Sequence, residues 1–266
     1  MARPARLSGR WGFSSGSAHA RGALLGGLIL GEDGNPTDYA CFLVLSEDYT
    51  IDDLWDTMGL RGTGSNDIIV EDAFVPAHRM LSMNDSFHCT VPGASFHANP
   101  LYRIPLFSIM ATTITTPLMG MATGAYDAHV AQQRDRVRVY GGDAVRDDPF
   151  AKVRIAEAGS DIEAGWQQMM ANVRAIASTA QAGEPITIEQ RIQLRRDQVR
   201  AGQRATQAID KLFESAGAKA IASSSPLQRF WRDAHAARVH VANDPDLPLK
   251  IYGDVTFGGT VDGGML

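Results

Sequence analysis

Cysteine is scarce in this chain, which has only Cys41 and Cys89 among its 266 residues. Two cysteines without paired spacing exclude a disulfide framework and a cysteine-rich zinc site, and they fit a reducing cytoplasm. An excess of positive charge is also missing, because the chain has 25 Lys and Arg residues and 30 Asp and Glu residues, for a net charge of −5. A nucleic-acid-binding surface needs a basic surplus, so we expect no nucleic-acid partner.

Long apolar runs are absent as well. No stretch approaches the roughly 20 uninterrupted apolar residues of a membrane-spanning helix, and the first residues lack the apolar core of a signal peptide. We therefore expect a cytoplasmic protein with no membrane partner. Arg134, Arg136 and Arg138 form one local basic cluster. It is interpreted as a solvated helix end, with a phosphate contact as the less favoured alternative.

Familiar catalytic signatures are missing too: the chain has no HExxH motif, no P-loop and no GxSxG motif. Residues 61–67 (Arg-Gly-Thr-Gly-Ser-Asn-Asp) look like a phosphate-binding loop, but they lack the Lys-Ser/Thr pair and precede a strand rather than a helix. Without further signals, such a segment is more often a glycine-containing turn than a phosphate-binding loop. His235 and His240, five residues apart, would lie on different faces of a helix, so no metal site is expected.

The first hundred residues carry the pattern of short strands. The turn at Gly31–Pro36 separates two apolar runs, and Pro76 closes another. The predicted strands cover residues 11–15, 19–30, 38–46 and 67–75. These strands predict a small antiparallel sheet or partial barrel, rich in glycine and poor in helix-forming residues.

From Pro105 onward, apolar residues recur every three or four positions, which is the period of a helix. Thr187 and Gln190 form a capping box, and Ser225-Pro226 opens the last helix, which must end before Pro245. The predicted helices cover residues 105–131, 150–180, 188–216 and a segment starting at 226. We predict an antiparallel four-helix bundle, followed by an extended, glycine-rich tail over residues 253–266.

Four segments of the chain together resemble the acyl-CoA dehydrogenase superfamily, and specifically its oxygenase branch. The first contains Phe-Ser-Ser-Gly followed by His-Ala, and the second is Met-Gly-Leu-Arg-Gly-Thr-Gly-Ser-Asn-Asp, which continues into Phe-Val-Pro. The third is Asn-Pro-Leu-Tyr-Arg, and the fourth runs from Pro-Leu-Gln-Arg-Phe-Trp-Arg-Asp to Arg-Val-His. These segments occupy residues 9–20, 58–76, 99–103 and 226–240.

The resemblance implies an α+β fold with the middle and C-terminal domains of that superfamily. Residues 1–103 are expected to form the middle β-domain, incomplete at its N-terminal edge, and residues 104–266 the C-terminal helical bundle with its tail. Family members carry an N-terminal helical domain before the β-domain, and this chain is expected to lack it. A homotetramer or another homo-oligomer is also implied.

The dehydrogenases of this superfamily need a carboxylate base, usually a Glu just past the Arg-Asp of the last helix, or less often one on the first bundle helix. Neither segment 232–266 nor segment 105–131 contains a Glu. The resemblance therefore implies an oxygenase component, in which reduced FMN or FAD and O2 form a flavin C4a-hydroperoxide that hydroxylates a small phenolic substrate. No nicotinamide-binding motif is present, so a separate reductase must supply the reduced flavin. The alternative is a truncated, non-catalytic or split subunit.

Individual side chains receive roles from the same resemblance. Ser14 and His240 are implied as catalytic residues, and His19 as a substrate contact. The implied flavin contacts are Phe13, Ser14, Ser15, Arg61, Thr63 and Ser65. His240 is predicted to lie in the last helix, on the same face as Asp233, where its imidazole could hydrogen-bond the reacting oxygen or take up a phenolic proton. The alternative is a histidine that only caps carbonyl groups at a helix end.

Overall fold

The fold was determined from a computed structural model of the chain, which describes residues 4–261. Those residues divide into two compact units. The first unit holds the residues up to 57 together with 61–106, and the second holds 58–60 together with the residues from 107 onward.

The first unit is built from two three-stranded antiparallel sheets. The strands are β1 (Ala5–Ser14), β2 (Gly22–Leu30), β3 (Pro36–Leu45), β4 (Thr50–Asp52), β5 (Asn66–Val75) and β6 (Met80–Ser82), and a short helix α1 (Met83–His88) follows. One sheet has the order β1-β5-β4 and the other has the order β2-β3-β6. The predicted antiparallel β-region is confirmed, although β4 and β6 were not foreseen.

Strand β5 shows how the sequence fixes the buried side of the sheet. Ile68 and Val70 alternate inward, but the next inward residues are Ala73 and Val75, one position out of phase. The pairing with β1 slips at this point, and Asp72 adopts a φ of 53°. This bulge takes up the extra residue, so apolar side chains reach the core on both sides of it.

The second unit is helical. Its long helices are α2 (Leu106–Arg134), α3 (Pro149–Ala182) and α4 (Ile188–Ser215), followed by α5 (Pro226–Arg238) and α6 (Asp246–Thr256). The four predicted helices are confirmed, and the capping box of Thr187 and Gln190 is present at the start of α4. Buried small residues on α4, such as Ala201, Ala205 and Ala208, let its neighbours pack closely against it.

The prediction of an extended arm from residue 253 is wrong for residues 253–256, because they complete α6. Proline and glycine obscure this helix in the sequence. Its stability comes from tertiary contacts, since the Tyr252 ring lies 4.4 Å below the Arg196 guanidinium of α4. The Asp244 carboxylate also accepts from the Asp246 amide at 3.0 Å. Residues 262–266 of the predicted arm lie outside the described residues.

Helix α2 is the one helix in the described part of the chain that is long and apolar enough to cross a membrane, judged by length and composition alone. A core helix of a soluble protein meets the same criterion. Leu118, Met119, Ala122 and Ala125 of this helix are fully buried among the other helices. The expectation that the chain has no membrane partner stays a prediction.

His129, in the interior of the helical unit, predicts a loss of stability in acid. Only 2% of His129 is exposed, and its Nδ1 has no hydrogen-bond partner within residues 4–261. Burial lowers the pKa of His129 below its ordinary value, and the nearby charge of Arg136 lowers it further, although a bond to the Leu212 carbonyl opposes both. The unfolded chain therefore binds this proton more readily, so stability is complete above pH ~6.5 and falls below it.

We expect the free energy of unfolding, followed by helical circular dichroism in urea, to fall by up to about 1.4 kcal/mol per pH unit over the window between the two pKa values of His129. The His129→Leu variant should lose this dependence. A His78→Leu variant, which removes an exposed histidine, should retain it. Equal acid sensitivity of all three proteins would contradict a buried neutral His129.

Candidate functional site

A turn after β1 brings together two segments that are distant in the sequence. Phe13 and Gly16 both have left-handed backbone conformations, with φ of 57° and 74°. The Gly16 amide donates to the Thr63 carbonyl at 2.9 Å, which ties this turn to the one at residues 61–63. The Phe13 side chain is 81% exposed, and its ring meets Trp55 edge-on at a centroid distance of 5.9 Å.

Three of the predicted flavin contacts form one cluster of hydroxyl groups. Ser65 is buried at its centre, with its Oγ 2.7 Å from Ser15 Oγ and 2.6 Å from Thr63 Oγ1. Each hydroxyl group has one proton to donate, so the cluster can be rearranged to present either a donor or an acceptor to a ligand. The structure thus brings Ser15, Thr63 and Ser65 together, as a shared site requires.

A groove of about 490 Å³ opens beside this cluster, within the first unit. Its walls combine aromatic and aliphatic surface with hydroxyl groups. They include Trp11, Phe13, Ser14, Ser15, Ser17 and Leu25. The Ser14 hydroxyl donates to the Trp11 carbonyl at 3.1 Å, so its lone pairs are still available to a ligand. Such a mixed lining suits a flat ring system with polar edges.

Ser17 is a candidate site residue that was not among the predicted flavin contacts. Only 5% of it is exposed, and its Oγ has no hydrogen-bond partner among the residues that the structure describes. A buried hydroxyl without a partner costs about 1–3 kcal/mol. Because Ser17 lines the groove, a polar ligand atom would satisfy it. In the sequence, the feature that could have indicated a ligand-binding role for Ser17 is its place in the Ser-Ser-Gly-Ser run.

The other predicted residues of this unit are less closely tied to the hydroxyl cluster. The Arg61 guanidinium is exposed and donates to the Asp56 carboxylate and to the Thr57 carbonyl, both at 2.9 Å. His19 is exposed at the end of the turn formed by Ser17–His19. A cofactor role for Arg61 and a substrate role for His19 stay predictions.

His240 lies in the second unit, and its predicted position in the last helix is wrong. Helix α5 ends at Arg238, and His240 precedes a short turn formed by Val241–Asn243. The argument that His240 and Asp233 share a helical face therefore fails. Asp233 instead accepts from the Leu60 amide at 2.7 Å.

The His240 imidazole is held by its own loop. Its Nδ1 accepts from the Ala242 amide at 3.1 Å, and partial burial lowers the pKa of His240 below its ordinary value. The ring is therefore neutral at neutral pH, with its proton on Nε2. The alternative of a structural histidine stays a prediction, with the difference that Nδ1 caps a backbone N–H and not a carbonyl group.

No group of three or more His, Cys, Asp or Glu residues within the described range could hold a metal ion. The spacing of His235 and His240 predicts that these residues bind no metal ion, and this stays a prediction. What the described residues offer is a groove with hydroxyl groups in the first unit and a neutral histidine in the second.

Comparison with known proteins gives consistent matches. Residues 112–245 match the family model described as acyl-CoA dehydrogenase, C-terminal domain. The oxygenase subunit HsaA of a flavin-dependent monooxygenase from Rhodococcus jostii is 53% identical over 95% of this chain and 66% of that protein. The oxygenase component of an FADH2-dependent resorcinol hydroxylase from Rhizobium is 30% identical, over 95% of this chain and 64% of that protein.

Among solved structures, a 3-HSA hydroxylase from Rhodococcus sp. RHA1 is similar to this chain. The TM-score is 0.92 and the identity 52%, over 97% of this chain and 66% of that one. The chain thus spans just under two thirds of the length of the relatives that it matches.

Proposed function

The chain belongs to the acyl-CoA dehydrogenase family, and from this premise we propose that it acts as the oxygenase component of a two-component flavin-dependent monooxygenase. The observation that carries the proposal is the 53% identity to such a component along nearly the whole chain. Both segments in which dehydrogenases of the family hold their carboxylate base lack Glu, which supports an oxygenase over a dehydrogenase.

Reduced FMN or FAD is proposed to bind in the groove of the first unit. Ser14, Ser15 and the buried Ser17 offer hydroxyl groups to the polar edge of the ring, and Trp11 and Leu25 offer apolar surface to its faces. When bound, the flavin supplies the activation of O2, which no amino-acid side chain provides. The residues present fit such a group.

We propose that His240 and Ser14 assist the reaction as hydrogen-bonding residues. In its neutral form His240 carries a proton on Nε2, which can be donated to an oxygen atom of the reacting groups. Ser14 can donate or accept once a ligand competes with the Trp11 carbonyl. His19 is proposed as a substrate contact at the exposed end of its turn.

The proposed substrate is a small phenolic compound, hydroxylated next to its OH group, and the resorcinol hydroxylase among the relatives supports this class. A separate reductase is proposed to supply the reduced flavin by diffusion. We further propose a cytoplasmic homotetramer or other homo-oligomer, without nucleic-acid or membrane partners. We use the term complete active assembly for this chain together with any further polypeptide that its activity requires.

An anaerobic titration tests the proposal. The protein should bind reduced FMN or FAD more tightly than the oxidised form, and addition of O2 with a phenol should then yield a hydroxylated product. Absent binding, or equal weak binding of both forms, would contradict the proposal and favour a non-catalytic subunit. Binding without product would favour a split subunit that needs a partner for chemistry.

Replacing Ser65 with Ala should weaken the binding of reduced flavin about tenfold, which corresponds to about 1.4 kcal/mol. The substitution removes the hydroxyl at the centre of the cluster and leaves Ser15 and Thr63 without their shared partner. The dissociation constant is measured by anaerobic fluorescence titration. Ser95→Ala removes an exposed hydroxyl that donates to the Pro92 carbonyl away from the groove, and it should leave the affinity unchanged. Unchanged affinity of the Ser65 variant would place the flavin elsewhere.

A further inference from the structure

The loop that carries His240 is anchored on a buried group of polar side chains, which we term the polar clamp: Thr115 of α2, Gln198 of α4 and Asn243 of the loop. Thr115 and Gln198 are fully buried, and 1% of Asn243 is exposed. Burying polar side chains at such depth costs free energy unless their hydrogen bonds are made. The hydrogen-bond partners of these three residues therefore identify the groups that the clamp holds in place.

The three side chains bond to each other and to the loop. The Gln198 amide donates to the Ala242 carbonyl at 3.0 Å and lies 3.2 Å from Asn243 Oδ1. The Asn243 amide in turn donates to the Ala237 carbonyl, near the end of α5, at 2.8 Å. Thr115 Oγ1 lies 2.6 Å from Asn243 Oδ1. The clamp thus links two long helices to the loop.

The pattern of donors fixes the orientation of both amide groups. Gln198 Oε1 accepts from the Arg195 guanidinium, so Gln198 Nε2 must face the loop. Asn243 Nδ2 must face the Ala237 carbonyl, which can only accept. A buried network with its partners satisfied resists rearrangement, because each alternative arrangement leaves a polar group without a bond.

Ala242 transmits this order to the imidazole through the peptide groups on either side of its Cα atom. Its carbonyl is held by Gln198, and also by Arg195 Nη1 at 3.1 Å. Its N–H donates to His240 Nδ1 at 3.1 Å. The N–H and the carbonyl of Ala242 belong to the two peptide planes on either side of its Cα atom, and the Asp244 N–H holds the first plane by donating to the Val241 carbonyl at 3.2 Å. Both planes are therefore fixed, which aims the Ala242 N–H at His240, keeps Nδ1 occupied as an acceptor and leaves the proton on Nε2.

We propose that Thr115, Gln198 and Asn243 are positioning residues that hold His240 as a single tautomer with Nε2–H available as a hydrogen-bond donor. The acceptor is an oxygen atom of the reacting flavin or substrate, so this part of the proposal rests on the proposed function. The positioning itself is a property of the protein without flavin. It is therefore measurable whether or not the proposed function holds.

The first test is nitrogen NMR of protein labelled with 15N-histidine, without flavin. The His240 signals, assigned with a His240→Asn variant, should show one tautomer protonated on Nε2. In Gln198→Met, which keeps the side-chain length but removes both donors, the shifts should move toward a mixture of tautomers. Gln203→Met, the same change five residues along α4 and outside the clamp, should leave them in place. Protonation on Nδ1, or unchanged shifts in Gln198→Met, would overturn the proposal.

The second test uses a gentler pair of variants, in case Gln198→Met does not fold. Thr115→Val keeps the shape of the side chain and removes the hydroxyl, whereas Thr115→Ser retains it. In the complete active assembly, Thr115→Val should lower the product formed per reduced flavin severalfold at unchanged flavin affinity, and Thr115→Ser should restore it. Unchanged coupling in Thr115→Val, despite a shifted His240 tautomer, would overturn the catalytic part of the proposal while the positioning stands. Equal loss in both Thr115 variants would overturn the role of the hydroxyl.

Discussion

The His240→Ala variant is expected to consume reduced flavin at close to the wild-type rate but to release most of the oxygen as hydrogen peroxide. Side chains that hydrogen-bond or exchange protons with reacting groups typically contribute factors of about 10² to 10⁴. We therefore expect the yield of hydroxylated product per reduced flavin to fall at least tenfold. Product and peroxide are quantified after a single turnover of the complete active assembly.

Two control variants distinguish the effect of losing the imidazole from the effect of disturbing the loop structure. Val241 is 81% exposed and adjacent to His240, so Val241→Ala should keep wild-type coupling. His240→Asn offers an amide acceptor for the Ala242 N–H while removing the imidazole, so it should uncouple like the Ala variant. Flavin affinity should be nearly unchanged in all three. If coupling survives in His240→Ala, then His240 is structural and another group assists the reaction.

Much of the fold could be predicted from the sequence because its signals are local. The period of apolar residues defined α2, α3 and α4 to within a few residues, and the capping box at Thr187 marked the start of α4 correctly. The hydroxyl cluster was also accessible, since Ser15, Thr63 and Ser65 lie in two turn motifs that carry the family resemblance. The helices and the capping box depend on residues close together in the chain, whereas the hydroxyl cluster joins residues 50 positions apart and was accessible only through the resemblance.

What the sequence did not reveal depends on distant contacts. Helix α5 ends early because the Asn243 side chain donates to the Ala237 carbonyl and the Asn243 carbonyl accepts from Arg238. The first of these bonds satisfies a carbonyl group at the end of the helix, and the second ties the Arg238 guanidinium to the loop. Asn243 is itself held by Thr115 of α2. The position of His240 outside the helix follows from that network. No periodicity within residues 226–245 contains this information.

The Gly59→Ala substitution is expected to destabilise the helical unit strongly. Residues 58–60 lie against α5, where the Met58 carbonyl accepts from Arg232 and the Leu60 amide donates to the Asp233 carboxylate at 2.7 Å. A Cβ atom on Gly59 would lie 2.2 Å from the carbonyl oxygen of Arg232 and 2.5 Å from its carbonyl carbon. Both atoms belong to the backbone of α5, so no side-chain rotation can relieve the overlap.

We therefore expect Gly59→Ala to lower the free energy of unfolding by about 3 kcal/mol, as overpacking against a fixed backbone does. Urea unfolding followed by helical circular dichroism measures the change. Gly62→Ala is the matched control, because a Cβ there meets nothing within 4 Å, and its stability should change by no more than about 1 kcal/mol. Equal stability of the two variants would mean that the segment at Met58–Leu60 can shift away from α5 at little cost. In that case the hydrogen bonds to Arg232 and Asp233 would not be what fixes it.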